Sequence, residues 1–456
     1  MLKQRNVLVV TADSLAPRMA GPAIRAFEMA KALSAVAHVK LASTVHASLT
    51  HPDFEIFDAS VIGLRESERW ADVIVFQGHL LSTHKWLRES GKIIVADIYD
   101  PMHLEQLEQE RGRPWDDRIA LGLDVVSVLN DQILRADFMV CASEKQRDFW
   151  LGQLAGMGRI NAATYDQDAS LRQLLDVVPF GLDATPPVQQ HHSIKGAIAG
   201  ISPDDKVILW GGGIYNWFDP LTLIYAVAAL VKKRPNVRLF FLGVKHPNPN
   251  VPTMQMSVDA QKLASKLGLI DSVVFFNEGW VPYEERANFI LDADVGVSTH
   301  LDHLETAFSF RTRILDYLWA SLPIVSTAGD TFAEIIEHHQ LGQVVPPEDV
   351  DALEQALEKM LFDDDEHAAT VKRVTRYSST MTWDKVLAPL VSFCLTGERA
   401  ADLSQNLVLA GVEKELAFKT RVDGLEQSFS WRITAPMRTV TGLVRRLRSR
   451  SGNRRW

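Results

Sequence analysis

The sequence predicts an α/β protein with two parallel sheets that follow one another along the chain. Short apolar runs alternate with amphipathic segments over most of the 456 residues, as expected for repeated β-α-β units. A chain of this length exceeds one ordinary hydrophobic core and suits two domains with an extension. The alternation stops at 185–193, where two prolines and paired histidines are typical of a linker, and then begins again. We therefore expect two Rossmann-like domains, residues 1–187 and 188–396, followed by an extension over 397–456.

The first half contains five apolar runs with the length of buried strands. They are predicted at 6–10, 73–77, 92–96, 138–142 and 177–179, and a helix is predicted at 21–33. In the second half, strands are predicted at 207–213, 237–243, 272–277, 295–299, 323–326 and 343–345, with a closing helix at 383–393. Ligands of such sheets gather at the carboxyl ends of the strands, so we expect a site in the cleft between the two domains.

Composition excludes several classes of protein. A formal net charge of −9 argues against nucleic-acid binding by the whole chain. Cys141 and Cys394 lie far apart in apolar surroundings, which favours a reducing compartment and buried free thiols. The sequence has no apolar stretch of about 18 residues, as a membrane-spanning helix would need. We expect a cytoplasmic protein or one bound peripherally to the inner face of the cell membrane.

Residues 305–325 form the most informative segment. Arg311 and Arg313 open a predicted helix, where unpaired backbone amides and the positive end of the helix dipole favour a phosphate group. Asp316 follows about one turn later, in a position to accept hydrogen bonds from ribose hydroxyls. The pattern predicts a nucleotide-sugar site with Arg311 and Arg313 on the diphosphate.

This segment resembles the retaining glycosyltransferases of family four, which have the GT-B fold of two Rossmann-like domains facing across a cleft. Arg311-Thr312-Arg313 is similar to the family's helix start, and Asp316 stands at its second acidic position. Phe308 occupies the first acidic position, so the pattern departs from the family there. Glu305, three residues earlier, is the candidate replacement. The resemblance covers roughly residues 1–395.

The resemblance implies a transferase of the hexosyltransferase type that acts in bacterial surface polysaccharide assembly. Its co-substrate would be a nucleoside diphosphate sugar and its acceptor a glycan or a lipid-linked glycan, with retention of configuration, no enzymic nucleophile and no cofactor. The sequence shows no Asp-x-Asp beside a strand and no zinc-like spacing, so no metal is expected. The alternatives are a catalytically silent GT-B scaffold and a sugar-nucleotide epimerase of the same fold.

Further candidates for donor binding follow predicted strands. Gly21 lies in a small-residue loop that, in the family, lets backbone amides approach the diphosphate; Pro22 as a helix start is the structural alternative. Gly211, Gly212 and Gly213 end a strand and permit close approach of a ligand. The arginine and lysine that many relatives carry after this strand are absent, so Lys245 joins the two arginines as a candidate. Trp280 is predicted to stack on the base or else to belong to the core.

Asp100 and His103 are the candidate catalytic residues of the first half, beside Glu305 in the second. They follow the strand at 92–96, where carboxylate and imidazole groups can orient an acceptor hydroxyl. The alternative for Asp100 is a helix N-cap ahead of Pro101.

The chain ends in a strongly basic segment. Residues 431–456 contain eight arginines and no acidic residue, and their apolar residues recur with helical spacing. A basic amphipathic helix of this kind is suited to an anionic membrane surface. A disordered solubilising tail is the alternative.

Overall fold

The structure is a computed structural model that describes residues 4–59, 63–244, 254–405 and 407. It contains two compact units, Met1–Ala400 and Ala401–Trp456. Both sheets belong to the first unit. Of the second unit, the described residues include one short helix, α18 (Ala401–Ser404). The predicted amphipathic tail at 431–456 and Lys245 lie outside the described residues.

The first sheet has seven parallel strands in the order β3-β2-β1-β4-β5-β6-β7. Its strands are β1 (Asn6–Thr11), β2 (His38–Ser43), β3 (Glu55–Asp58), β4 (Val73–Gln77), β5 (Ile93–Asp97), β6 (Phe138–Cys141) and β7 (Leu175–Val177). Its helices are α1 (Gly21–Ser34), α2 (Leu64–Trp70), α3 (Leu80–Thr83), α4 (Met102–Gln109), α5 (Trp115–Arg135), α6 (Glu144–Gly156) and α7 (Ala162–Gln167), with a 3₁₀ turn at Lys85–Glu89.

All five strands predicted in the first half are present, but sequence analysis missed β2 and β3. These two strands form one edge of the sheet, where part of each strand faces water. Lys40 of β2 and Glu55 of β3 face each other in an ion pair of 2.8 Å, and both side chains are partly exposed. Charged residues on an edge strand interrupt the apolar run that identifies a buried strand.

The second sheet has six parallel strands in the order β10-β9-β8-β11-β12-β13. They are β8 (Lys206–Trp210), β9 (Val237–Phe241), β10 (Val274–Phe276), β11 (Val295–Ser298), β12 (Ile324–Thr327) and β13 (Gly342–Val345). The helices are α8 (Pro220–Lys233), α9 (Gln255–Lys266), α10 (Arg286–Ile290), α11 (Leu304–Phe308), α12 (Arg313–Trp319), α13 (Thr331–His339), α14 (Val350–Phe362), α15 (Asp364–Ser378), α16 (Trp383–Val386) and α17 (Ala388–Thr396), with a 3₁₀ turn at Tyr283–Glu285.

The six strands predicted in the second half are confirmed, with ends shifted by a few residues. The central strands are the most uniformly apolar, and every residue of β11 and β12 is buried. The start of α8 follows from its local sequence. Asp219 accepts a hydrogen bond of 3.0 Å from the amide of Thr222, and Pro220 opens α8.

The predicted closing helix at 383–393 is two helices, α16 and α17, which meet at Leu387. Pro389 lies in the first turn of α17, where its missing N–H costs no hydrogen bond, so a new helix can begin there. The α17 helix packs against the first sheet: the ring of Phe393 stacks on Phe138 with centroids 4.2 Å apart, and Arg5 donates to the carbonyl of Gly397 at 2.7 Å. The domain boundaries at 187 and 396 stay a prediction.

Within the described ranges, every helix is too short or too polar to cross a bilayer.

Candidate functional site

A cavity of about 630 Å³ opens between the carboxyl ends of the two sheets. This volume is within the usual range for a small-molecule site. Nine predicted residues line it: Gly21, Asp100, Gly211, Gly212, Gly213, Trp280, Arg311, Arg313 and Asp316. Of the other described candidates, His103 and Glu305 lie outside the lining.

Arg311 lies just before α12 and is held by Glu305. Its Nη1 and Nη2 donate to the two carboxylate oxygens of Glu305, each at 2.7 Å, and both side chains are almost fully buried. Asp330 Oδ2 lies 3.9 Å from its Nε. The positive charge of Arg311 is therefore neutralised within the protein, and the carboxylate of Glu305 is committed to this pair.

Arg313 is the first residue of α12 and has different surroundings. Its Nη2 donates to the carbonyl oxygen of Gly213 at 2.8 Å, and the guanidinium lies over the rings of Trp210 and Phe218. Among the described residues, no carboxylate forms an ion pair with it, and its buried Nη1 has no hydrogen-bond partner. Burial lowers the pKa of Arg313 to about 10, so it is still charged at neutral pH. A buried cation with an unused donor at a cavity wall suits an anionic ligand.

Tyr317 holds the glycine loop after β8, residues 211–213, in place. The Tyr317 hydroxyl accepts from the amide of Gly211 at 2.7 Å and lies 2.8 Å from the carbonyl of Val297, to which it can donate. The Gly211 amide is thus already bonded. Gly212 has φ +77°, a backbone angle that favours glycine, and a side chain there would point into open space.

Gly21 begins α1 and lies beside the start of α12. A methyl group built on Gly21 would lie 3.8 Å from Thr312 Oγ1. The α1 helix is 14 residues long, and its amino-terminal end faces this cavity through Gly21 and Pro22. Its dipole adds positive potential near Arg313.

Asp316 lies one turn into α12 and contacts Arg286, which sequence analysis did not single out. Asp316 Oδ1 is 3.4 Å from Arg286 Nε, and the guanidinium lies between the rings of Tyr283 at 3.6 Å and Trp319 at 4.2 Å. Arg286 belongs to no recognisable motif in the sequence, so nothing marked it in advance. The charges of Asp316 and Arg286 therefore compensate each other.

Trp280 forms another part of the wall. Its Nε1 donates to the carbonyl of Met19 at 3.0 Å, and its ring lies against Gly243, where an added methyl group would come within 3.1 Å. Trp280 is half-buried, so one part of the ring is packed and the rest is accessible to a ligand.

Asp100 and His103 are placed differently. The residue at the N-cap of α4 is Pro101, so the capping alternative for Asp100 is wrong. Asp100 lines the cavity, and its Oδ1 is buried without a hydrogen-bond partner among the described residues. His103 packs against the rings of Phe149 and Trp150, at 5.4 and 5.9 Å, and burial lowers its pKa.

The two halves of the cleft are joined by Gln146, a fully buried residue of α6. Its Nε2 donates to the carbonyl of Tyr99 in the first half and to that of Phe308 in the second, both at 2.8 Å. The ring of Phe308 packs on Phe149 at 4.7 Å. The position where a carboxylate was expected from the resemblance is therefore part of the packing between the two halves.

Comparison with solved structures identifies the architecture. WaaG, described as a glycosyltransferase involved in lipopolysaccharide biosynthesis, superposes with a TM-score of 0.59 at 18% identity, over 86% of this chain and 100% of that chain. HepE of Anabaena, in complex with UDP-glucose, gives a TM-score of 0.58 at 14% identity, over 85% and 100%. The fold is GT-B.

Sequence comparison adds to the GT-B assignment in the second half of the chain. Residues 205–363 match the family described as Glycosyl transferases group 1. The D-inositol 3-phosphate glycosyltransferase of Corynebacterium urealyticum is 24% identical over 194 residues, which is 42% of this chain. The alignment spans 43% of that relative, less than half its length.

No group of three or more His, Cys, Asp or Glu side chains with suitable geometry occurs within the described ranges. Independence from metal stays a prediction.

Proposed function

We propose that this protein is a glycosyltransferase that binds a nucleoside diphosphate sugar in the cleft and transfers the sugar to an acceptor hydroxyl. Arg313 carries the proposal: it is a charged, buried guanidinium at the cavity wall whose Nη1 has no partner among the described residues. Burying a cation in this way costs free energy unless a ligand compensates it. A diphosphate oxygen is a suitable partner, and such a charge-assisted bond contributes about 1.5 to 3 kcal/mol.

The proposed diphosphate position lies between Arg313 and the amino-terminal end of α1. Gly21 leaves room for a close approach there, and the open φ of +77° at Gly212 does the same on the opposite wall. Arg311 acts indirectly, because Glu305 already neutralises it at 2.7 Å. This assigns a direct role to one arginine of the predicted pair and a supporting role to the other.

The nucleoside is proposed to lie toward Trp280 and Asp316. The exposed part of the Trp280 ring offers a stacking surface, and the half-exposed carboxylate of Asp316 accepts hydrogen bonds from ribose hydroxyls. Two structures of the same fold were obtained with related ligands: HepE with UDP-glucose, and the trehalose-6-phosphate protein of E. coli with UDP-2-fluoro glucose. These support a UDP-hexose as the first donor to test.

Transfer is proposed to retain configuration without an enzymic nucleophile and without metal. In this proposal Arg313 and the α1 dipole supply the positive charge that the leaving diphosphate needs. The acceptor is proposed to be a glycan or lipid-linked glycan of bacterial surface polysaccharide assembly, reached from the inner face of the membrane through the basic segment at 431–456. WaaG, with its stated part in lipopolysaccharide biosynthesis, supports this context.

A panel of labelled nucleotide sugars tests the proposal. The protein is expected to hydrolyse one donor slowly in the absence of acceptor, to continue in EDTA, and to give a product whose initial anomer, followed by NMR, matches the donor. A scaffold without catalytic activity would leave every donor intact. An inverted product would refute retention, and activity lost in EDTA and restored by Mg²⁺ or Mn²⁺ would refute metal independence.

A further inference from the structure

Two carboxyl side chains from the first half of the chain meet in the cleft. Asp100 follows β5 and Glu105 lies on α4, and both line the cavity. Their carboxyl groups are close enough to form a hydrogen bond with each other. Ionised carboxylates only accept hydrogen bonds, so this contact requires a proton on one of the two. The arrangement is therefore a carboxyl pair that holds one proton.

The surroundings keep that proton in place. Burial raises the pKa of Asp100 to about 7, while the hydrogen bond from Glu105 lowers it and the charges of Glu305 and Asp97 raise it. Burial raises the pKa of Glu105 well above its usual range, and the charges of Asp100 and Glu305 add to this, against Arg311. The titratable and charged groups that face the pair are Asp97, Tyr99, Tyr215, Glu305 and Arg311.

Within the described part of the chain, Asp100 is the member of the pair that has an oxygen without a hydrogen-bond donor. Its Oδ1 is buried and has no hydrogen-bond partner among the described residues. The Asp100 carboxyl group lies at the wall of the cavity, where it can accept a hydrogen bond from a hydroxyl group.

We propose that Glu105 is a positioning residue that keeps the shared proton and so holds Asp100 as the carboxylate that receives the proton of the acceptor hydroxyl. This inference rests on the proposed function. In the step, the acceptor O–H bond breaks and its proton moves to the Asp100 carboxylate. The oxygen uses the freed electron pair to bond to the anomeric carbon, while the bond from that carbon to the diphosphate breaks and its electron pair leaves with the diphosphate. When water is the acceptor, the same step gives hydrolysis.

The pair predicts a bell-shaped pH dependence. Below the lower apparent pKa, Asp100 is protonated and cannot accept the proton, so the rate rises with pH through about 7. Above the higher apparent pKa, Glu105 loses its proton, and the hydrogen bond that orients Asp100 is lost. Both values belong to the pair because the two groups titrate together.

Four variants, assayed by donor hydrolysis over a range of pH, test the inference. Glu105→Ala removes the hydrogen-bond donor, so the acid limb is expected to move up by about one pH unit. The rate at pH 7 would then fall about fivefold and recover at higher pH. Glu105→Gln supplies a permanent N–H donor and is expected to restore most of that rate and to lose the alkaline limb. Asp100→Asn is expected to be impaired at every pH.

The matched control is Glu108→Gln, also on α4 but outside the cavity lining, where Glu108 pairs with Arg111; it should behave as the wild type. Nucleoside diphosphate affinity should be unchanged in all four variants. The inference is overturned if Glu105→Ala and Glu105→Gln lose the same activity with unshifted limbs, or if Asp100→Asn keeps the wild-type rate. Failure of the proposed function is distinguishable, since the wild-type protein would then bind no nucleoside diphosphate.

Discussion

Arg311 and Arg313 lie two residues apart at the start of α12, and both are buried. Both oxygens of Glu305 bind Arg311 at 2.7 Å, whereas Arg313 contacts only a carbonyl and aromatic rings among the described residues. The two arginines therefore affect stability differently: Arg311 is compensated by a carboxylate and, within the described ranges, Arg313 is not. Removing the partner of a buried carboxylate is costly, while removing an uncompensated buried cation is not.

A first prediction concerns the free energy of unfolding of Arg311→Met. Glu305 would be left buried without its partner, so the variant should lose about 3 to 5 kcal/mol, measured by urea unfolding. The double variant Arg311→Met/Glu305→Gln should recover part of this loss. The exposed Arg376→Ala serves as a control and should change stability little. Wild-type stability of Arg311→Met together with lost nucleotide binding would instead give Arg311 the direct role.

The residue types of the site were readable from the sequence, but their pairings were not. Residues such as Gly21, Asp100, Arg313 and Asp316 were predicted because they follow strands or open helices, and all four line the cavity. The Arg311–Glu305 bond and the contact of Arg286 with Asp316 depend on which side chains the fold brings together. Pattern and spacing along the chain carry no information on such contacts.

Individual elements were predictable where burial is uniform. Central strands such as β4 and β11 are buried throughout, and a short edge strand such as β3 is not. Caps were readable only in part. Thr331-x-x-Glu334 has the residue pattern of a capping box. The N-cap is nevertheless Asp330, whose side chain accepts a hydrogen bond of 2.7 Å from the amide of Ala333. Asp330 and Thr331 both have side chains that can cap a helix, so the backbone angles decide which of them is the N-cap.

A second prediction concerns the contact between the end of the first half and α16. An added methyl group at Gly181 would lie 2.8 Å from the backbone of Trp383. That backbone is held in place because the Trp383 amide donates a hydrogen bond of 3.0 Å to the carbonyl of Leu182. Gly181→Ala should therefore lower stability by about 1 to 3 kcal/mol in thermal or urea unfolding.

The comparison for this prediction is Gly152→Ala in α6, where an added methyl group meets nothing within 4 Å. Alanine favours a helix, so this variant should be neutral or more stable by up to about 1 kcal/mol. Equal stability of the two variants would show that the Gly181–Trp383 contact is not tightly packed.

At the scale of the whole molecule, the repeated β-α-β pattern predicted two sheets in succession, and the GT-B fold confirms it. The contacts that join the two halves were beyond prediction. Gln146 donates to carbonyls of both halves at 2.8 Å, and Lys145 pairs with Glu334 at 3.3 Å. Each is a single polar contact between residues far apart in sequence, so no periodicity marks it.

The basic segment at 431–456 gives a third prediction. Each arginine near an anionic surface contributes about 1 kcal/mol, so the full-length protein should sediment with anionic vesicles, and high salt should weaken the association. Deletion of 431–456 should release the protein from vesicles and leave nucleotide binding intact. A variant with Arg445, Arg446 and Arg448 changed to Gln separates charge from length. Equal sedimentation of all three proteins would remove the membrane from the proposal.

The central claim is that Arg313 binds the donor diphosphate, and calorimetric titration of UDP, GDP and dTDP into the wild type and Arg313→Met tests it most directly. The wild type should bind at least one of the three. Arg313→Met should bind that nucleotide about 10- to 100-fold more weakly while its stability is unchanged or higher, since an uncompensated buried charge is removed. Arg376→Ala should bind as the wild type does. Unchanged affinity in Arg313→Met, or a wild-type protein that binds none of the three nucleotides, would contradict the account.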